Sequence, residues 1–236
     1  MSSKDAHDPQ YEILANEILH FVWKPGDLIS ESSLCQRFGL SRTPVRAILQ
    51  RLQENGLVRI EPKKGSIVTP LSIETISQLI FERMAVETMV LRDYIRICNP
   101  SDVERVRYLY SCLCAVGETY QNPNVPFEAS TFMHADLSMH AEWFRRTSKP
   151  LLWKRLSSPQ SSYTRFCMLD LLMGNNVPDV LSEHREMLAL IETRNENGIE
   201  DLLTRHLYGG IRRLGSSIYT TYSSYFTSAG GDSILD

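Results

Sequence analysis

Four polar side chains stand on helix faces that are otherwise apolar. Asp136 and His140 are four residues apart and share one face; His184 lies in the stripe Val180, Leu181, Leu188, Ile191; His206 sits between Leu202-Leu203 and Leu207. A single buried histidine is ordinarily a hydrogen-bonded core residue, because one imidazole can satisfy both nitrogens locally. Three such helices converging would be costly without a shared purpose, and one Asp with three His suits a borderline divalent metal. Zinc is the first expectation, with nickel, manganese or iron as alternatives.

A second anomaly precedes them. The stripe Ile76, Leu79, Ile80, Val90, Leu91, Tyr94 is interrupted by Arg83 and Glu87, again four apart. Two readings are open: an internal ion pair, or Arg83 as the clamp for a ligand carboxylate, whose shape its fork matches.

A third constellation lies near the N-terminus. In the segment after Ser41, Val45, Ile48, Leu49 and Leu52 form one apolar stripe, while Arg42, Gln53, Arg46, Gln50 and Thr43 occupy a flank about 60 to 160° away, by the 100° step of a helix. That flank carries guanidinium, amide and hydroxyl groups and no carboxylate, the chemistry that reads base edges and phosphates in a major groove.

The elements that must hold these groups follow from the punctuation. Tyr11 to Val22 reads as a first helix stopped by Lys24-Pro25-Gly26. Ser30 is expected to cap a short second helix ended by Gly39, and Ser41 a third running to about Asn55, with Gly56 as terminator. Leu57 to Ile60 and Ser66 to Thr69 are β-branched runs around Pro62-Lys63-Lys64-Gly65, a hairpin with a basic tip. This order predicts a winged helix-turn-helix over residues 10–70, after a disordered 1–9. From 71 to 226 the periodicity is helical, with breaks near Asn99-Pro100, 121–126, Lys149-Pro150, 174–178 and 195–198, predicting six or seven helices. Residues 227–236 are small and polar and read as a flexible tail. The fold class is therefore mainly α: a winged helix-turn-helix followed by an all-α bundle.

The chain has 236 residues, 42% of them apolar, with a net charge of −3, which excludes a disordered or supercharged polymer. Residues 31–72 nevertheless carry seven Lys and Arg against three Glu, a basic segment on an acidic body. No run approaches the roughly eighteen apolar residues of a membrane span. Five cysteines form an odd set without a CxxC pair, so reduced thiols and a cytoplasmic location are expected.

Two stretches carry a family resemblance. Pro25-Gly26-Asp27-Leu28-Ile29-Ser30-Glu31, Phe38 through Arg46, Gly56-Leu57-Val58 and Lys64-Gly65 resemble the winged helix of the GntR superfamily of bacterial transcription regulators. The resemblance implies that Arg42, Thr43 and Arg46 contact double-stranded operator DNA and that the wing tip at Lys64-Gly65 enters the minor groove. Gln50 and Lys63 extend that candidate surface. Ser32 stands where the family often has an arginine. Arg83-x3-Glu87, Asp136-x3-His140, Glu183-His184 and His206 resemble the FCD ligand-binding domain of the FadR-like branch. That resemblance implies a metal on Asp136, His140, His184 and His206 whose open positions a small organic acid completes.

The leading expectation is a non-enzymatic, homodimeric regulator responsive to such an acid. Its rivals are a metal-dependent hydrolase or lyase on a helical bundle and a regulator for which the metal is itself the signal. No HExxH motif supports the hydrolase.

Overall fold

The computed structural model describes residues 8–122, 124–157 and 162–227, and they form two compact units. The first is built on the N-terminal 73 residues. Helix α1 (Pro9–Leu19) starts inside the stretch expected to be disordered, because the Asp8 side chain accepts from the backbone N–H groups of Gln10 and Tyr11 and Pro9 supplies a preset first turn. It also ends before Val22: Phe21 takes a positive φ of 58°, which turns the chain out of the helix.

A two-residue strand β1 (Leu28–Ile29), absent from the sequence reading, precedes helices α2 (Glu31–Phe38) and α3 (Arg42–Glu54). Ser30 and Ser41 occupy the N-cap positions with extended backbones, but neither side chain makes the expected capping bond. The Ser30 hydroxyl is paired with that of Ser32 instead. Gly39 and Gly56, at φ 65° and 70°, end α2 and α3. The hairpin of β2 (Val58–Glu61) and β3 (Gly65–Val68) then places β3 between β2 and β1 in an antiparallel sheet. A Cβ on Gly65, itself at φ 122°, would come within 3.0 Å of Leu28, so the sheet needs glycine at that crossing. Leu14, Ile18, Ile29, Val45, Leu52 and Val68 form the centre of this core.

The end of the described chain belongs to the same unit, although it was expected to close the helical domain. Leu71 and Phe226 form a parallel bridge, the Leu71 N–H donates to the Tyr225 carbonyl and the Thr227 N–H donates to the Leu71 carbonyl. Residues 1–7 and 228–236, most of the expected disordered ends, lie outside the described residues.

The second unit is helical. It comprises α4 (Ile73–Ile97), α5 (Pro100–Thr119), α6 (Ala129–Arg146), α7 (Pro150–Leu156), most of α8 (Ser162–Met173), α9 (Val177–Glu192), α10 (Ile199–Leu207) and α11 (Gly209–Leu214). Eight helices are therefore described where six or seven were expected. One additional break follows Leu156, and another at Tyr208 separates α10 from α11. Gly210 serves close packing: a Cβ there would meet the Phe166 ring at 2.8 Å. Leu91, Tyr94, Met139, Trp143, Met187 and Ile191 fill the core beside the site described next.

Candidate functional site

Helix α6 presents Asp136 and His140 one turn apart, α9 contributes His184, and α10 contributes His206. One ligand-capable atom from each lies within 4.8 Å of all the others. The His184 Nε2 is 3.2 Å and the His206 Nε2 3.9 Å from the Asp136 Oδ1. The ring centroids of the three imidazoles are 4.8 to 5.3 Å apart. The structure thus gathers all four expected metal ligands in the second unit.

The rear nitrogen of each imidazole is held. The Nδ1 of His184 donates to the Val180 carbonyl at 2.9 Å, which is the helix's own i−4 acceptor. The Nδ1 of His206 meets Glu183 Oε2 at 2.9 Å, and that of His140 meets Glu87 Oε2 at 2.5 Å. A carbonyl and carboxylates can only accept, so the proton is assigned to Nδ1 and each Nε2 presents a lone pair inward. His140 and His184 are fully buried, and among the described residues their Nε2 atoms have no hydrogen-bond partner. Buried acceptors facing one another and a carboxylate oxygen across 3 to 4 Å would be stabilised by a cation between them. The donor set therefore fits a divalent metal.

Electrostatics agree. Burial pushes His184 down to about 3, against the opposing pull of Asp136, so its imidazole is neutral at pH 7 and available as a ligand. Burial raises the Glu87 carboxyl, but Arg83 and His140 outweigh it and hold the group at about 2. Asp136 also sits below its usual value: burial raises it, and the nearby imidazoles and Arg83 lower it further.

Arg83 is buried, and its Nε donates to Glu87 Oε1 at 2.6 Å. The ion-pair reading of these residues is thus what the structure displays, with one addition. Glu87 uses its second oxygen to fix His140, giving a line from Arg83 through Glu87 to His140. The sequence reading missed that role, and it missed Glu183 as the partner of His206. The only signal for Glu183 was its place beside His184, which is not the histidine it binds.

In the first unit, Arg42, Thr43, Arg46 and Gln50 are exposed on one side of α3, and Lys63 and Lys64 are exposed at the wing tip beside Gly65. Lys63 holds a positive φ of 66° in that turn. Gln53, assigned to the same flank, instead accepts the Ile60 N–H at 2.7 Å and ties the wing to α3. The flank is free of carboxylate only within α3: Glu31, from α2, binds the Arg46 Nε at 2.8 Å. Lys64 pairs with Glu61 at 3.0 Å, leaving most of its side chain in solvent.

Comparison with known proteins gives two family matches: bacterial regulatory proteins of the gntR family over residues 10–68, and the FCD domain over residues 78–209. The HTH-type transcriptional repressor RspR of Escherichia coli K12 is 25% identical over 198 residues, covering 84% of this chain and 83% of its own. The galactonate operon transcriptional repressor of the same organism is 24% identical over 223 residues, covering 85% and 93%. A crystal structure of a GntR transcriptional regulator from Rhodococcus sp. RHA1 shares the fold with a TM-score of 0.63 at 22% identity, covering 87% of this chain and 95% of that one.

Proposed function

The chain belongs to the GntR family of transcriptional regulators and carries an FCD domain, and from that premise we propose that a small organic acid, bound at a divalent metal, sets its affinity for operator DNA. The observation that carries the metal is the pair of buried Nε2 atoms on His140 and His184, which have no hydrogen-bond partner among the described residues. Asp136, His140, His184 and His206 would hold the ion. When bound, it would supply a Lewis-acidic anchor for a carboxylate. Zinc suits three imidazoles and one carboxylate; nickel, manganese and iron remain in the test.

We assign recognition of the rest of the acid to Arg83. Its Nε is committed to Glu87, while its charge is close enough to Asp136 to lower that carboxyl. The relative named for the galactonate operon supports this class of effector, since galactonate is itself a small organic acid.

At the DNA end, Arg42, Thr43, Arg46 and Gln50 would read the major groove, and Lys63, Lys64 and Gly65 would meet the phosphates and the minor groove. Two winged helices presented by a homodimer would match a palindromic operator. Phe81 and Met89, both exposed on α4, support self-association. An effector that binds one arrangement of the dimer better than another shifts the population and with it the operator affinity. Among the described residues no helix is long and apolar enough to cross a membrane, and we place the protein in the cytoplasm with its DNA.

The hydrolase reading is weaker because Glu87 and Glu183, the carboxylates beside the imidazoles, are both committed to Nδ1 hydrogens. Elemental analysis of reloaded protein, followed by operator binding with metal alone and with metal plus small carboxylates, tests the proposal. Metal at about one per chain and a carboxylate-dependent change in DNA affinity are expected. Sub-stoichiometric metal with no stability change would return the histidines to a packing role. A response to metal alone would make the ion the signal.

A further inference from the structure

Within the second unit, α9 faces α10 and α11 across a groove of about 500 Å³, a volume inside the roughly 300 to 1,000 Å³ of ordinary small-molecule sites. Its two walls carry opposite charge. On α9, Asp179, Ser182, Glu183 and Glu186 follow the three-and-four spacing of one helix face. The facing wall has Arg205 near the end of α10 and Arg212 and Arg213 on α11. Three carboxylates thus stand against three guanidiniums.

Two of the guanidiniums are spent on carboxylates. Arg205 pairs with Glu186, and Arg213 reaches Asp179 at 3.2 Å and the buried Asp170 of α8 at 2.7 Å. Gly209 makes room for the second of these, since a Cβ there would come within 2.8 Å of a terminal nitrogen of Arg213. That leaves one cation and one anion, on opposite walls. Among the described residues Arg212 meets no carboxylate, and its one hydrogen bond goes to the Arg205 carbonyl. Glu183 spends Oε2 on the Nδ1 of His206 at 2.9 Å, and its Oε1 accepts no hydrogen bond among the described residues. The Glu183 side chain is only 9% exposed, whereas Arg212 is open to solvent. A largely buried carboxylate oxygen without a donor is an unfavourable arrangement that a ligand can relieve.

We propose that this groove binds a free amino acid, with the Arg212 guanidinium taking its carboxylate and Glu183 Oε1 taking its ammonium. The planar fork of arginine matches a carboxylate, and an ammonium supplies the charged donor that Oε1 lacks. Charge decides between ligand classes. A simple carboxylic acid brings a second negative charge to Glu183 and no donor for it. A simple amine leaves Arg212 without an anion. A zwitterion answers both walls and, like the groove itself, carries no net charge. The site goes beyond the metal-bound acid proposed above and stands whether or not that centre holds metal, because none of Asp136, His140, His184 and His206 lines the groove.

The test is calorimetric titration of full-length, chelator-treated protein with each of the common amino acids. The tightest of them is then compared with the acid that lacks its amino group and the amine that lacks its carboxylate. Each single-charge analogue should bind at least about tenfold more weakly than the amino acid, the usual worth of a lost charge-assisted hydrogen bond. Arg212→Gln and Glu183→Gln should each weaken the amino acid by a similar factor while the metal-free proteins melt as wild type does. The two variants alter opposite walls, so either one decides the matter if the other does not fold. No heat of binding from any amino acid overturns the site, and an analogue that binds as tightly as the amino acid overturns its selectivity for a zwitterion. Binding that Arg83→Lys weakens and Arg212→Gln leaves intact would put the amino acid at the histidine cluster and overturn the groove.

Discussion

Glu183→Gln separates a metal centre from a packed histidine. The Glu183 carboxylate accepts from the Nδ1 of His206 at 2.9 Å and is 9% exposed, and the amide oxygen of glutamine can still accept that proton. The metal-free fold should therefore change little. What is lost is the negative charge that makes Nε2 a stronger ligand, and such outer partners contribute about 10- to 100-fold to metal affinity. With a thirtyfold loss, metal supplied at a hundred times the wild-type Kd stabilises wild type by about 2.7 kcal/mol and the variant by about 0.9 kcal/mol. For a chain of this size that difference of about 1.8 kcal/mol is a metal-induced rise in Tm smaller by roughly 4 to 7 °C. Differential scanning fluorimetry with and without zinc, beside calorimetric titration of the same metal, reads both quantities. Equal metal-induced shifts in the two proteins would refute the idea that Glu183 tunes a ligand. A variant that melts early to the same extent with and without metal would show that Glu183 only packs.

Arg46→Ala should weaken specific operator binding by about 1 to 3 kcal/mol and relax selection at one position, checked by selection from random DNA with both proteins. Lys63→Ala and Lys64→Ala should weaken binding to all sequences and lower the slope of log affinity against log salt; an unchanged slope removes the wing from the interface. The metal-free protein should lose stability on acidification. Glu87 is held at about 2 against an ordinary 4.5, so its contribution of about 3 kcal/mol is complete above about pH 4.5 and declines as pH falls toward 2, as urea titrations at pH 6 and 3 will show. Arg83→Lys should reduce affinity for small carboxylates more than affinity for metal, since a single ammonium cannot serve Glu87 and a ligand together; equal losses in calorimetry would confine Arg83 to holding Glu87.

Much of the site was legible because its spacings are local. Asp136 and His140 share a face by the geometry of any helix, and so do Arg83 and Glu87. The Gly-bounded helices and the Lys-Lys-Gly tip likewise announce a winged helix from short-range rules. The illegible parts depend on how elements cross. Glu183 precedes His184 in sequence, yet successive helical residues point about 100° apart, so it serves His206 on α10. Strand β1 is two residues long, too short for alternation, and exists only because β3 pairs with it. Gln53 looked like a reader of bases but is taken by the Ile60 N–H, and Glu31 reaches a flank of α3 whose own sequence carries no acid.

The Arg83–Glu87 pair illustrates why such a site is more than its four ligands. Only 4% and 0% exposed, it would be matched or exceeded in stability by two well-packed apolar residues. An apolar pair cannot accept the Nδ1 proton of His140, and without that acceptor the imidazole could carry its proton on Nε2, the nitrogen that would face the proposed metal. The pair is also neutral as a unit. It would orient a ligand without cancelling the charge of a divalent ion, which Asp136 and the Glu183 carboxylate on His206 would together offset. The proposed centre therefore depends on how the histidines are held as much as on which residues would bind the metal.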